Sequence, residues 1–231
     1  MPELIVSLDV INLEQEKKFF KTLFPVVKFF KIGSVLFTST GPESVKVIKQ
    51  MGGKVFLDLK FYDIPNIVES AVRSAVSLGV DMLNVHTGGG KKMMESAARG
   101  CREQAENLKI LSPILVGVTV LTSFERSDLQ QIGVYSTVKE QVMCLARIAK
   151  QSGLSGVVAS VEEVPDIKNI CGKNFITVTP GIRLKQSEDD QKRTATPSAA
   201  KSVGTDYIVV GRPVLLAQNP LEMCKDILRE S

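Results

Sequence analysis

The feature that most constrains this chain is a series of eight short apolar runs that recur along its whole length. Each run has four to eight residues, is rich in Val, Ile and Phe, and is bounded by turn or helix-start residues, as β-strands are. The ends of successive runs lie about 29 residues apart, the length of one strand, loop and helix. The predicted strands are residues 4–9, 26–32, 54–60, 82–87, 114–121, 156–160, 175–179 and 207–211.

Amphipathic segments separate these runs. The clearest covers residues 65–78, where apolar side chains recur with the 3.6-residue period of a helix. Further helices are predicted at residues 42–51, 91–106, 137–152 and 220–230. Apolar strands that alternate with helices indicate a parallel sheet covered on its outer face. Eight units favour a closed (β/α)₈ barrel formed by residues 1–231 as a single α/β domain. An open doubly wound sheet is the alternative, but the first strand leads into Asp9 rather than a glycine-rich loop.

Composition and charge limit which binding partners and which cellular compartment we expect for this chain. The net charge of +4 is modest, and no run of five or more Lys or Arg residues occurs, so we expect neither nucleic-acid nor membrane binding. The four cysteines are far apart and form no C-x-x-C pair, which argues against a zinc or redox site. They are interpreted as buried small apolar residues in a reducing compartment. The first residues lack a basic signal-peptide region, and a cytoplasmic location is expected.

Polar residues occur where the predicted strands end, which is where barrels of this type carry their chemistry. A buried charge costs several kcal/mol unless it is paired, so these positions require partners or a function. A purely structural network of ion pairs at the barrel mouth is the alternative. The residues are Asp9, Lys31, Asp58, Lys60, Thr87, Thr122, Thr179 and Arg212.

The segment around Asp58 is the most informative. Asp58 and Lys60 are two residues apart on one strand, so both side chains point to the same face, which we expect to be the barrel interior. Asp63 follows in the loop, and Lys31 comes from the neighbouring strand. Together they would form an alternating Lys–Asp–Lys–Asp set, in which the carboxylates keep both lysines protonated.

This D-x-K-x-x-D segment resembles the orotidine 5′-phosphate decarboxylase suprafamily, and the string from Asp58 to Asn66 is similar to the orotidine decarboxylase branch. The resemblance continues through further segments, among them Lys31-Ile32-Gly33, Thr179-Pro180-Gly181 and Gly211-Arg212-Pro213. It implies decarboxylation of orotidine 5′-phosphate to UMP and CO₂, the last step of pyrimidine nucleotide synthesis, without a metal or organic cofactor.

The resemblance also implies a role for each residue. Lys60 would stabilise a carbanion at C6 of the pyrimidine and then protonate it, while Asp58 faces the departing carboxylate. Lys31 and Asp9 would hold the ribose hydroxyls, and Asp63 would act in the site of the other subunit of a homodimer. The remaining substrate-binding residues are Arg183, Gln191, Gly211 and Arg212 at the phosphate, Thr122 at the pyrimidine, and Ile67.

Two other interpretations bear on the site, and rival functions share some of its features. Residues 184–196 are polar and charged, which suits a mobile lid, with a plain surface loop as the alternative. His86 is expected to be structural, because the implied chemistry needs no imidazole. One rival function is a sister phosphosugar enzyme, which shares D-x-K-x-x-D but carries an acidic metal ligand where this chain has Lys31. A pentose phosphate epimerase is a weaker rival, because its metal site uses two histidines and this chain has one. A non-catalytic barrel that binds phosphorylated metabolites is the rival from another class.

Overall fold

The computed structural model describes residues 1–184 and 193–231 and contains a closed barrel of eight parallel strands. Each strand pairs with its sequence neighbours, and the last closes on the first. The predicted (β/α)₈ barrel is therefore confirmed. The strands are β1 Glu3–Ser7, β2 Phe29–Gly33, β3 Lys54–Phe61, β4 Met82–His86, β5 Ile114–Val118, β6 Gly156–Val158, β7 Ile176–Thr179 and β8 Tyr207–Val210.

Helices follow the strands and cover the outside of the barrel. Those of the described residues are α1 Leu13–Leu23, α2 Ser34–Thr40, α3 Glu43–Gln50, α4 Pro65–Ser77, α5 Gly90–Leu108, α6 Arg126–Gln131, α7 Val138–Gln151, α8 Val164–Cys171, α9 Pro197–Ser202, α10 Arg212–Leu215 and α11 Pro220–Glu230. None of them has the length and apolar character that a membrane crossing requires. The predicted helices occur within two residues of their expected bounds, and α11 matches them.

Local sequence explains several helix starts. The side chain of Asn12 accepts a hydrogen bond from the Gln15 amide at 2.9 Å and caps α1. Thr137 and Glu140 form a reciprocal capping box at the start of α7. Pro65 occupies the first turn of α4, where its missing N–H leaves no helical hydrogen bond unmade.

The alternation of side chains along the strands produces two apolar layers. One cluster fills the barrel and includes Ile5, Phe29, Phe56, Met82, Val116, Val178 and Val209. The larger cluster lies between the sheet and the helices, where residues such as Leu57 and Val85 pack outward. Asp58 lies next to Leu57 on the opposite face of β3, so it points inward, above the apolar filling.

Three expectations need correction. Most predicted strands extend too far at their carboxyl ends; β5 ends at Val118 rather than at residue 121, because the chain there turns into the loop that carries Thr122. Thr87 and Thr179 do not face the barrel mouth: their hydroxyls bond to the Val118 carbonyl at 2.7 Å and to Thr205 at 2.5 Å. Of the four cysteines, Cys144 is exposed, since it lies on the outer side of α7.

Candidate active site

A cavity of about 700 Å³ opens at the carboxyl ends of the strands. Residues from seven of the eight strands, or from the loops that follow them, line it. The predicted site residues in this lining are Asp9, Lys31, Asp58, Lys60, Thr122, Arg183, Gly211 and Arg212. Parallel strands thus deliver residues that are distant in sequence to one charged cavity.

Four charged side chains form a connected row across one side of the cavity. The Lys60 ammonium lies 2.7 Å from Oδ1 of Asp58, and the Lys31 ammonium lies 3.0 Å from Oδ2 of the same carboxylate. Lys31 Nζ is also 3.5 Å from Oδ1 of Asp9. The Ser7 hydroxyl donates to Oδ2 of Asp9 at 2.7 Å and orients it. The alternating row within this chain is therefore Asp9–Lys31–Asp58–Lys60.

Within one chain the row does not reach Asp63, which ended the predicted row and was expected to act in the site of the other subunit. Asp63 is exposed on the loop after β3, where its carboxylate accepts a hydrogen bond from the Ile64 amide at 2.6 Å. It faces a shallow depression lined by Tyr62 and Gly88 rather than the cavity. Ile67, on the first turn of α4, is 48% exposed and likewise lies outside the cavity lining. Neither residue therefore lines the cavity of its own chain.

The ion pairs of this row keep Asp58 and Lys31 charged. Burial alone would raise the pKa of Asp58, but Lys31 and Lys60, with hydrogen bonds from Lys60 and Asn84, hold that pKa well below its ordinary value. Burial alone would lower the pKa of Lys31, but the carboxylates of Asp58 and Asp9 outweigh it and raise that pKa. At neutral pH the cavity therefore holds a fixed carboxylate beside a fixed ammonium group, in a position largely closed to water.

Sequence reasoning missed Asn84, which lies beneath this row on β4 and is 1% exposed. Its amide nitrogen donates to Oδ1 of Asp58 at 2.6 Å, and its amide oxygen accepts from the Lys60 backbone N–H at 2.8 Å. The available signal was an amide side chain inside an otherwise apolar strand, at a position whose neighbours pack into the core.

The loops after β7 and β8 give the cavity groups that suit an anion. Gly211 immediately precedes the short helix α10, and a Cβ there would lie 3.3 Å from both Asp9 Oδ2 and Ser7 Cβ, a tight contact that glycine avoids. Gly181 has a φ of +77°, which favours glycine, and exposes backbone toward the cavity. Arg183 and Arg212 lie in the same lining. Backbone approach at glycines beside guanidinium groups is the usual chemistry of phosphate recognition.

Arg193, a second residue that sequence reasoning missed, fastens the end of the predicted lid segment. Its guanidinium pairs with Glu163 and donates to the carbonyls of Val120 and Leu121 at 3.1 and 3.0 Å. Its backbone N–H donates to the Thr122 carbonyl at 3.2 Å. Residue 193 is thus anchored to the loop after β5, although the segment was predicted to be a mobile lid. Gln191 and the rest of residues 185–192 lie outside the described part of the chain.

His86 lies at the end of β4 and takes part in local structure. Its Nδ1 accepts a hydrogen bond from the Gly88 amide at 3.1 Å, and its ring stacks on Tyr62 with 5.4 Å between centroids. Burial, and then the positive charge of Lys60, lower the pKa of His86. A neutral imidazole that accepts a backbone hydrogen bond fits the structural role expected for it.

Fold and cavity together define a (β/α)₈-barrel protein with a lysine–aspartate site at the barrel mouth and, in the loops after β7 and β8, glycine backbone and guanidinium groups suited to an anion. Comparison with known proteins gives the family. Residues 2–227 match the model of the orotidine 5′-phosphate decarboxylase / HUMPS family. The chain therefore belongs to that family.

Named relatives resemble the chain over nearly its full length. It is 45% identical over 230 residues to orotidine 5′-phosphate decarboxylase of Moorella thermoacetica, covering 99% of this chain and 91% of that protein. It is 46% identical over 230 residues to the enzyme of the same name from Legionella pneumophila subsp. pneumophila, covering 99% of each. The crystal structure of orotidine 5′-phosphate decarboxylase from Lactobacillus acidophilus superimposes with a TM-score of 0.88 at 37% identity, covering 100% of this chain and 99% of that one.

Proposed function

We propose that this chain decarboxylates orotidine 5′-phosphate to UMP and CO₂. The observation that carries the proposal is the Lys60–Asp58 pair, 2.7 Å apart and backed by Lys31, in a cavity whose loops after β7 and β8 suit a phosphate. The relatives named above, similar over nearly the whole chain, support the same reaction.

The chemistry requires a positioned cation, because loss of CO₂ leaves an electron pair on C6 of the pyrimidine with no adjacent group to delocalise it. In the proposed mechanism Asp58 faces the substrate carboxylate, and the bond between C6 and that carboxylate breaks. The Lys60 ammonium stabilises the pair on C6 and then transfers a proton to it, and water later returns the proton to Lys60. The step balances with no electron acceptor, so we propose that the enzyme uses no metal or organic cofactor.

Binding roles follow from where each residue lies in the cavity. Lys31 and Asp9 hold the ribose hydroxyls, close to the reacting pair. The proposed contacts of the phosphate are Arg183, Gln191, Gly211 and Arg212, with Thr122 at the pyrimidine. Phosphate held by the loops after β7 and β8 would place C6 against Lys60, so binding energy from the phosphate contributes to the rate.

We propose further that the protein is a homodimer in which Asp63 completes the partner's site. Asp63 lies beside three exposed apolar side chains, Tyr62, Ile64 and Ile67, which are 63%, 61% and 48% exposed. Apolar groups exposed together are typical of an interface, and a two-fold axis would make the exchange of Asp63 reciprocal. In the same arrangement Ile67 would reach substrate across the interface.

The family also contains the sister phosphosugar enzymes, so membership alone does not choose the reaction. Lys31 favours the decarboxylase, because the sister phosphosugar enzymes carry an acidic metal ligand at the corresponding position. We expect the reaction to take place in the cytoplasm, where the four free cysteines stay reduced.

Purified protein should convert orotidine 5′-phosphate at the same rate with and without EDTA, followed by the change in pyrimidine absorbance. A keto-gulonate phosphate should remain unchanged under both conditions. Turnover of the sugar phosphate, or turnover of the nucleotide only after Mg²⁺ is returned, would overturn the assignment.

A further inference from the structure

Asn84 occupies an unusual position for a polar side chain. It is 1% exposed on the central part of β4, and both ends of its amide contact the reacting pair. The nitrogen donates to Asp58 Oδ1 at 2.6 Å, the same oxygen that accepts from Lys60 Nζ at 2.7 Å. The oxygen accepts from the Lys60 backbone N–H at 2.8 Å.

The backbone at this point departs from regular sheet. Lys60 has a φ of +51°, in the left-handed region that side-chain-bearing residues rarely adopt. The β3–β4 register also shifts between Leu57 and Phe61, so Lys60 leaves the regular ladder. The Asn84 oxygen takes up the Lys60 N–H at that shift. Strained backbone persists only when its surroundings hold it in place, and here the amide of Asn84 holds it.

We propose that Asn84 is a positioning residue for the decarboxylation. It fixes Lys60 through the backbone and Asp58 through the carboxylate, and so sets the direction from which Lys60 Nζ approaches the reacting carbon. The inference rests on the proposed function for the identity of the reaction. The hydrogen bonds by which Asn84 holds Lys60 and Asp58 do not depend on it. A buried asparagine that merely satisfies its hydrogen bonds would affect stability without changing the chemistry.

The test compares Asn84→Ala with Thr87→Val. Thr87 is also buried, lies one residue after β4, and donates to the Val118 carbonyl at 2.7 Å, but it does not line the cavity. Both changes remove buried hydrogen bonding beside the site. Asn84→Ala should lower kcat at least about 100-fold and leave the Kd for UMP within threefold, whereas Thr87→Val should keep kcat within threefold. Equal effects of the two variants on kcat would overturn the proposal.

A second variant, Asn84→Asp, keeps the shape of the side chain and the acceptor for the Lys60 N–H but lacks the donor to Asp58. When protonated, the introduced carboxyl can supply that donor again. Its kcat, relative to wild type, should therefore rise at least about tenfold from pH 8 to pH 5. A ratio that is as low at pH 5 as at pH 8 would contradict the role assigned to the amide, and this variant decides the matter if Asn84→Ala fails to fold.

A crystal structure of either variant separates failure of this inference from failure of the proposed function. We expect the Lys60 backbone to leave the left-handed region in Asn84→Ala, with the Lys60–Asp58 contact lengthened or lost. An unchanged Lys60 would refute the positioning role even if the variant is slow. A wild-type protein that does not decarboxylate orotidine 5′-phosphate would refute the function and leave the structural test valid.

Discussion

Replacing Glu16 by Gln should stabilise the protein at alkaline pH and leave its stability nearly unchanged at pH 5. Glu16 lies on α1 with 0% exposure, and neither of its carboxylate oxygens has a hydrogen-bond partner among the described residues. Burial raises its pKa from an ordinary 4.5 to about 8, with Lys17 opposing the shift and Glu43 adding to it. Folding therefore favours the protonated form of this side chain.

The sign and size of the effect follow from linkage. A carboxyl whose pKa is higher in the folded state does not lower the free energy of unfolding below about pH 4.5. Between about pH 4.5 and pH 8 it lowers that free energy progressively, and above about pH 8 the loss stays constant. A pKa shift from 4.5 to about 8, converted in full, lowers the free energy of unfolding by about 5 kcal/mol. Because α1 lies on the outside of the barrel, where small movements admit water, we reduce the expected gain at pH 9 to about 2 kcal/mol.

Urea denaturation at pH 5 and pH 9, at one protein concentration, measures this directly. Glu14→Gln is the matched control, since Glu14 lies on the same helix and is exposed. It should change the free energy of unfolding by at most about 0.5 kcal/mol at either pH. A Glu16→Gln variant that is equally stable to wild type at both pH values, or less stable at pH 9, would refute the reasoning from burial.

Three further predictions concern the site and its support. Arg212→Ala should raise KM for orotidine 5′-phosphate far more than it lowers kcat, with partial recovery in guanidinium; an unchanged KM would remove Arg212 from the phosphate site. Arg193→Met should cost about 3–5 kcal/mol of stability by leaving buried Glu163 unpaired, and adding Glu163→Gln should restore most of it in urea denaturation; no restoration would contradict the ion-pair account. Remixed Lys60→Ala and Asp63→Asn dimers should recover about a quarter of wild-type activity, because random mixing makes half the dimers mixed with one intact site each. No recovery despite proven heterodimers would end the trans role of Asp63.

The sequence determined the barrel well because its signals are local and repeated. Apolar runs and amphipathic segments alternate eight times, and that periodicity predicts the strands and helices and favours a closed parallel sheet over an open one. Asp58 and Lys60 could be assigned to one face because strand periodicity fixes side-chain direction. The row from Asp9 to Lys60 could only be ordered in three dimensions, since it depends on how far the loop after β3 carries Asp63 away.

Contacts between distant segments explain what sequence reasoning missed. Asn84 forms hydrogen bonds with Lys60 and Asp58, which lie 24 and 26 positions earlier in the chain. Arg193 donates to the carbonyls of Val120 and Leu121, which lie 73 and 72 positions earlier. No local pattern encodes either pairing. The positive φ of Lys60 was equally hidden, because side-chain-bearing residues rarely adopt it and the strand pattern around it is regular.

The central claim is that Lys60 delivers the proton that replaces CO₂ on C6 of orotidine 5′-phosphate. Running the reaction in D₂O and analysing the product by NMR tests it most directly. Wild-type protein should form UMP with one deuterium at C6, with EDTA present throughout. Lys60→Ala, shown to be folded and to bind UMP, should form that product at least about 10⁴-fold more slowly. A Lys60→Ala rate within tenfold of wild type, or no UMP from the wild-type protein, would contradict the account.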